Sequence, residues 1–153
     1  MKEMTEQQAR YRLTALCAKA EHCSGEMAEK LRQWGFDEVV QARIIRYLVD
    51  ERYVDDERYC RYFVRDKLRY NGWGRRKIEQ ALYGKHVDRE IYEPILDEVS
   101  DEEYLEVLRP LIRQKAKSIK AKDDYEFAAK LIRFAMGRGF DYELIKRSIE
   151  NIP

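Results

Sequence analysis

"KLRYNGWGRRKIEQAL", residues 67–82, sets a glycine corner between two helical patterns. Asn71-Gly72-Trp73-Gly74 interrupts a helix, because Gly is about 1 kcal/mol worse than Ala in a helix interior. Past the corner, Ile78 and Leu82 lie four apart, on one face of a second helix. The stretch therefore predicts helix, turn, helix. It also carries Lys67, Arg69, Arg75, Arg76 and Lys77, which raises a second question: what does so basic a corner face?

The same pattern extends in both directions. Only 3 Pro and 7 Gly punctuate the 153 residues. Leu13, Leu16 and Ala20 share a helical face, as do Ile44, Ile45 and Leu48, and Leu108, Leu111 and Ile112. No segment alternates with period two for long, so the fold class is all-α. Thr5-x-x-Gln8, Ser100-x-x-Glu103 and Asp123-x-x-Glu126 fit the capping box. Asp37, Asp88 and Asp141 stand where a carboxylate accepts the free N–H groups of a first helical turn. Gly35, Gly84 and Gly139 precede them, at expected helix stops.

Those three Asp residues mark a repeat. With Phe36, Val87 and Phe140 as anchors, 51 and then 53 residues apart, apolar residues correspond at five further offsets. Met27, Ile78 and Leu131 precede by nine; Leu31, Leu82 and Ala135 by five. Val40, Ile91 and Leu144 follow by four, Ile45, Leu96 and Ile149 by nine, and Leu48, Val99 and Ile152 by twelve. Each unit reads as a leading helix followed by a helix–turn–helix. The leading helices start near Thr5, Asp56 and Asp101, with Tyr59 and Tyr104 three residues in. The expectation is three tandem three-helix repeats, 1–53, 54–99 and 100–153. Such stacks form an elongated, curved array whose concave side suits binding.

Charge is abundant and segregated. Charged residues make up 39% of the chain, against about a quarter in an average protein, yet the formal net charge is only +1. Residues 61–77 hold Arg61, Arg65, Lys67, Arg69, Arg75, Arg76 and Lys77 against Asp66 alone. Residues 109–122 hold Arg109, Arg113, Lys115, Lys117, Lys120 and Lys122 with no acid. Between them, residues 88–106 contain nine acids and one base, Arg89. A solvated helix face accounts for many charge runs. It accounts less well for a run without counter-charges, because like charges at helical spacing repel by a few tenths of a kcal/mol. Basic runs of this kind attract phosphates or acidic protein surface. Tyr70 and Trp73 can stack on bases or on a partner's side chains; alternatively, Trp73 fills the gap between two helices.

The sequence offers no catalytic constellation, metal set or cofactor motif. A phosphate-cradling G-x-x-x-x-G-K-[ST] and a G-x-S-x-G elbow are missing. His22 and His86 are isolated, and Gly137-Arg138-Gly139 reads as a helix cap. Asp55-Asp56-Glu57 can chelate a cation or serve as a cap and dipole partner. Cys17, Cys23 and Cys60 are odd in number and lack a C-x-x-C pair, which fits reduced, buried thiols. No secretory leader or membrane span is visible, so a cytoplasmic, non-enzymatic protein is expected.

"CSGEMAEKLRQWGF", "YLVDERYVDDERYCRYFVRDKLRYNGWGRRKIEQAL" and "FAMGRGFDYELIKRSI" together resemble the RecX family, bacterial regulators of the RecA recombinase. The likeness is most specific from Leu48 through Tyr53-Val54-Asp55-Asp56, the aromatic helix Tyr59–Phe63, Gly72-Trp73-Gly74 and Ile78…Leu82. Arg75 stands where the family often has Pro. The resemblance implies three-helix repeats and a regulator, mainly an inhibitor, that docks in the groove of the RecA–DNA filament. It implies roles in DNA repair and the SOS response, with effects on filament growth, ATPase and strand exchange. It does not specify the contacts. Charge assigns these to Arg65, Lys67, Arg69, Tyr70, Trp73, Arg75, Arg76 and Lys77, and to Arg113, Lys115, Lys117 and Lys120. Two other readings remain: a freestanding helical DNA-binding module, and an adaptor for an unrelated protein.

Overall fold

The structure, a computed structural model, describes residues 3–150. Among these residues the chain is all-α: nine helices and no strand. They are α1 (Glu6–Lys19), α2 (Ser24–Gln33), α3 (Glu38–Asp50), α4 (Asp56–Arg69), α5 (Arg75–Gly84), α6 (Arg89–Asp97), α7 (Asp101–Ala116), α8 (Asp124–Gly137) and α9 (Tyr142–Glu150).

Side-chain caps fix several starts. Thr5 accepts from the Gln8 amide while Gln8 accepts from the Thr5 amide, and Ser100 and Glu103 do the same. Asp37 and Asp123 accept from the amides of Val40 and Glu126. Glu126 departs from the expected box: its carboxylate reaches the amide of Lys122, one residue before the cap. Ala20 also departs from expectation, being the exposed C-cap of α1 and no part of its buried face.

The second helix of every repeat stops the same way. Phe36, Val87 and Phe140 donate their amides to Leu31, Leu82 and Ala135, five residues back. The residue before each donor is left-handed: Gly35 at φ +89°, His86 at +61°, Gly139 at +94°. This is the Schellman ending, which uses carbonyls that the helix itself leaves unpaired. Gly84, expected at the stop, instead ends α5 within the helix, and His86 takes the left-handed position.

The described residues group into two compact units, one within Met1–Tyr62 and Leu82–Tyr92, the other within Phe63–Ala81 and Glu93–Pro153. The core of the first includes Ala9, Leu13, Met27, Leu31, Ile44, Leu48 and Val54. That of the second includes Leu68, Ile78, Leu96, Leu105, Leu108, Ile112, Leu131 and Phe140, all buried. Each such Leu, Ile or Phe contributes about 1.5–3 kcal/mol over its exposed state. Among the anchors, Met27, Ile78 and Leu131 are buried, and so are Leu31, Leu82 and Ala135. The third helices differ from expectation. Their shared buried position lies eight residues past the anchor, at Ile44, Ile95 and Ser148. Ser148 is tolerated there because its hydroxyl donates to the Leu144 carbonyl. Ile152 lies outside the described residues.

One close approach recurs. In the first unit, a Cβ on Gly25 would collide with the Lys85 carbonyl. In the second, a Cβ on Gly74 would collide with the backbone of Gly139 and Phe140. In both cases the N-terminus of a second helix meets the turn that ends the next repeat's second helix. In the second unit free amides of one helix end thereby meet free carbonyls of the other, with Gly74 and Arg76 donating to Arg138 and Gly139; in the first, the Lys85 carbonyl accepts from the Cys23 thiol.

Candidate functional site

The basic corner is built within the second unit. Gly72 takes φ +65°, and the Trp73 amide reaches back to the Lys67 carbonyl at 3.0 Å. A Cβ on Gly72 would press on Leu111 of α7 and on the Arg138 guanidinium. Gly74 and Arg76 donate their amides to the carbonyls of Arg138 and Gly139, at 2.8 and 3.0 Å. The start of α5 is thus capped by the end of α8.

The ring of Trp73 is half-buried between Lys67 of α4 and Lys77 of α5, whose ammonium groups lie 5.2 and 4.8 Å from its centre. Trp73 therefore fills the corner between these helices, and both lysine heads are steered by its π-face. Tyr70, by contrast, is 87% exposed.

The acidic segment meets part of the first basic run. Arg75 pairs with Asp97 at 2.6 Å and Arg69 approaches Glu103 at 3.9 Å. Burial works to lower the Arg75 pKa, but the hydrogen bond and charge of Asp97 outweigh it and the net shift is upward. Lys67 lies 3.9 Å from Asp66. Surface pairs like these contribute about 0–1 kcal/mol each, yet they cancel much of the local charge. Arg65 and Arg76 are exposed and have no carboxylate partner among the described residues.

The second run keeps its charge. Arg113, Lys117 and Lys120 are exposed, and Lys115 is half-buried. None of the four has a carboxylate partner among the described residues. The ammonium of Lys115 sits 5.3 Å from the centre of the Phe134 ring, with Arg138 at 5.4 Å on the same ring. Arg138 also donates to the Asn71 carbonyl at 2.8 Å. One contact chain, Asn71–Arg138–Phe134–Lys115, therefore joins the glycine corner to the second run. Lys130, Arg133, Phe134 and Arg138 were not picked out from the sequence. The available signal was the four-residue spacing of Lys130, Phe134 and Arg138 along α8 and its C-cap, with Arg133 three residues after Lys130, which places them on one side of the helix.

The remaining candidates resolve into structural roles. Asp55 caps the Arg58 amide, Asp56 accepts from the Ser24 amide and hydroxyl, and Glu57 pairs with Arg61. No metal-holding group of His, Cys, Asp and Glu occurs among the described residues. Cys23 and Cys60 are buried and Cys17 is half-buried. Burial pushes the Cys23 pKa up to about 12, which makes it a poor nucleophile.

Comparison with known proteins agrees with this architecture. Residues 55–93 match the second three-helix domain of RecX, and residues 101–149 match the third. The "Regulatory protein RecX" of Vibrio campbellii is 33% identical over 88% of this chain and 84% of its own. That of Acinetobacter baylyi is 33% identical over 90% and 84%. The crystal structure of RecX from Lactobacillus salivarius superposes with a TM-score of 0.86 at 21% identity, covering 95% of this chain and 94% of that one.

Proposed function

The chain belongs to the RecX family of regulatory proteins, and on that premise we propose that it binds the filament formed by a RecA recombinase on DNA and restrains it. Filament growth, ATPase and strand exchange all fall under this restraint, and the protein itself performs no chemical step. The observation that carries the reading is the uncompensated charge of Arg65, Arg76, Arg113, Lys115, Lys117 and Lys120, which lack carboxylate partners among the described residues. Such a surface gains most from a polyanion, because each phosphate it neutralises releases counterions. Lys67, Arg69, Tyr70, Trp73, Arg75 and Lys77 complete the proposed contact surface. Of these, Arg69 and Arg75 contribute less, since acidic neighbours already offset them. DNA is reached chiefly through the filament, and the work takes place in the cytoplasm. Among the described residues no helix is long and apolar enough to cross a membrane.

The test is the single-stranded-DNA-dependent ATPase rate of the RecA from the same organism, with this protein added over a range of ratios. The rate should fall with dose, and Arg76→Glu combined with Lys115→Glu and Lys117→Glu should relieve the fall. Inhibition at low ratios indicates capping of the filament end; inhibition only near saturation indicates coating of the groove. An unchanged rate at stoichiometric protein refutes the proposal. Tight, salt-dependent binding to bare DNA would then identify a freestanding DNA-binding module, and its absence an adaptor.

A further inference from the structure

We propose that the corner between α7 and α8 is a phosphate-binding cleft. A cavity of about 520 Å³ opens there, and Lys115, Lys120, Lys130 and Arg133 all line it. Ile119 and Phe134 supply its apolar wall, and no carboxylate is among the lining residues. Glu126 offsets Lys130, which leaves Lys115, Lys120 and Arg133 to repel one another across the concavity, and a bound anion reverses that penalty. The proposal rests on assigning the second basic run to a polyanion partner, and it narrows that partner to phosphate.

Two of the cations are already held in place. Lys130 donates to the Lys120 carbonyl at 2.7 Å and pairs with Glu126 at 3.0 Å. Lys115 rests on the Phe134 ring. Groups fixed before binding lose less freedom when the ligand arrives. Lys120 and Arg133 are exposed and have no carboxylate partner among the described residues. Lysine ammoniums act as point charges toward the several oxygens of a phosphate, and the Arg133 fork can meet two of those oxygens at once. The Phe134 ring already bears Lys115 and Arg138. Base stacking is therefore not what the site offers, and recognition goes through phosphate regardless of base sequence. The cleft is large enough for more than one phosphate, so the source is either a nucleic-acid strand or a free polyphosphate.

Isotope-labelled full-length protein would be titrated with tripolyphosphate and, separately, with a twelve-residue oligothymidylate, following backbone amides by NMR. Both probes should shift the amides of residues 115–120 and 130–134. Lys120→Ala with Arg133→Ala should weaken both probes by about tenfold or more. The double variant should also lower the salt-dependence slope for the oligonucleotide by about 1.4, at roughly 0.7 per phosphate contact on a single strand. The charge-preserving pair Lys120→Arg and Arg133→Lys should keep binding, which separates lost charge from lost folding. Oligonucleotide affinity well above that for tripolyphosphate identifies a strand running on past the cleft; equal affinities identify a free polyphosphate. Shifts confined to other residues, or unchanged affinity in the Ala double variant, overturn the cleft. These titrations contain no recombinase, so their failure and a failure of filament regulation are told apart.

Discussion

Gly74→Ala should unfold the second unit more easily, although its backbone conformation is open to any residue. The obstacle is space. An added Cβ would collide with the Phe140 amide nitrogen and the Gly139 carbonyl carbon, which are backbone atoms and cannot swing aside. Relief requires α5 to withdraw from the α8–α9 turn. That movement breaks two hydrogen bonds, Gly74 to Arg138 at 2.8 Å and Arg76 to Gly139 at 3.0 Å. Each buried group left unpaired costs about 1–3 kcal/mol. Against this, Ala loses about 0.4–1 kcal/mol less chain entropy than Gly on folding. The net loss is about 3 kcal/mol. With a urea m-value of about 2 kcal/mol/M, the midpoint drops by about 1.5 M. The assay is fluorescence in a Trp34→Phe background, where Trp73 alone reports, from within the second unit. Gly137→Ala serves as the counterpart. Nothing lies within 4 Å of its added Cβ and it ends a helix, so it should stabilise by about 0.5 kcal/mol. Equal midpoints for Gly74→Ala and wild type would refute the docking of α5 on the α8–α9 turn.

Three further outcomes follow from the same packing. Tyr104→Phe should cost under about 1 kcal/mol or stabilise, because the hydroxyl is buried with no hydrogen-bond partner among the described residues. Burial, with Asp141 and Glu103 adding to it and Arg75 opposing, pushes the Tyr104 pKa up to about 12. Its neutral form is favoured by the fold, so its contribution is intact below pH 10 and lost as pH rises from 10 to 12; Tyr104→Phe should flatten that alkaline fall in urea stability. His86→Gly should raise thermal stability by about 0.5–1 kcal/mol, or about 1–4 °C, because relief of left-handed strain exceeds the added entropy of Gly; a lower melting temperature would contradict the strain.

The repeat was legible because apolar side chains at fixed offsets are what a helix face needs in order to be buried. Met27, Ile78 and Leu131 announced themselves, and so did the three helix pairs around Phe36, Val87 and Phe140. Thr5, Asp37, Ser100 and Asp123 were legible as caps too, since a short polar side chain completes a bond within three residues of itself. Other features depend on atoms far apart in sequence. Ser148 was hidden at a core position because only the Leu144 carbonyl makes its hydroxyl tolerable there. His86 was hidden as a helix stop because its left-handed conformation is imposed by the turn and not advertised by the residue. The charge runs were plain in the sequence, but their net field was not. Asp97 and Glu103 offset Arg75 and Arg69 only because folding brings α6 and α7 to the glycine corner. The addition of Lys130, Arg133 and Arg138 to the second run likewise waited on α8 packing beside α7. Local periodicity and capping are properties of neighbouring residues, so sequence alone determined the helices and their repetition. Which charges remain unneutralised depends on through-space distance, and only the tertiary structure decided that.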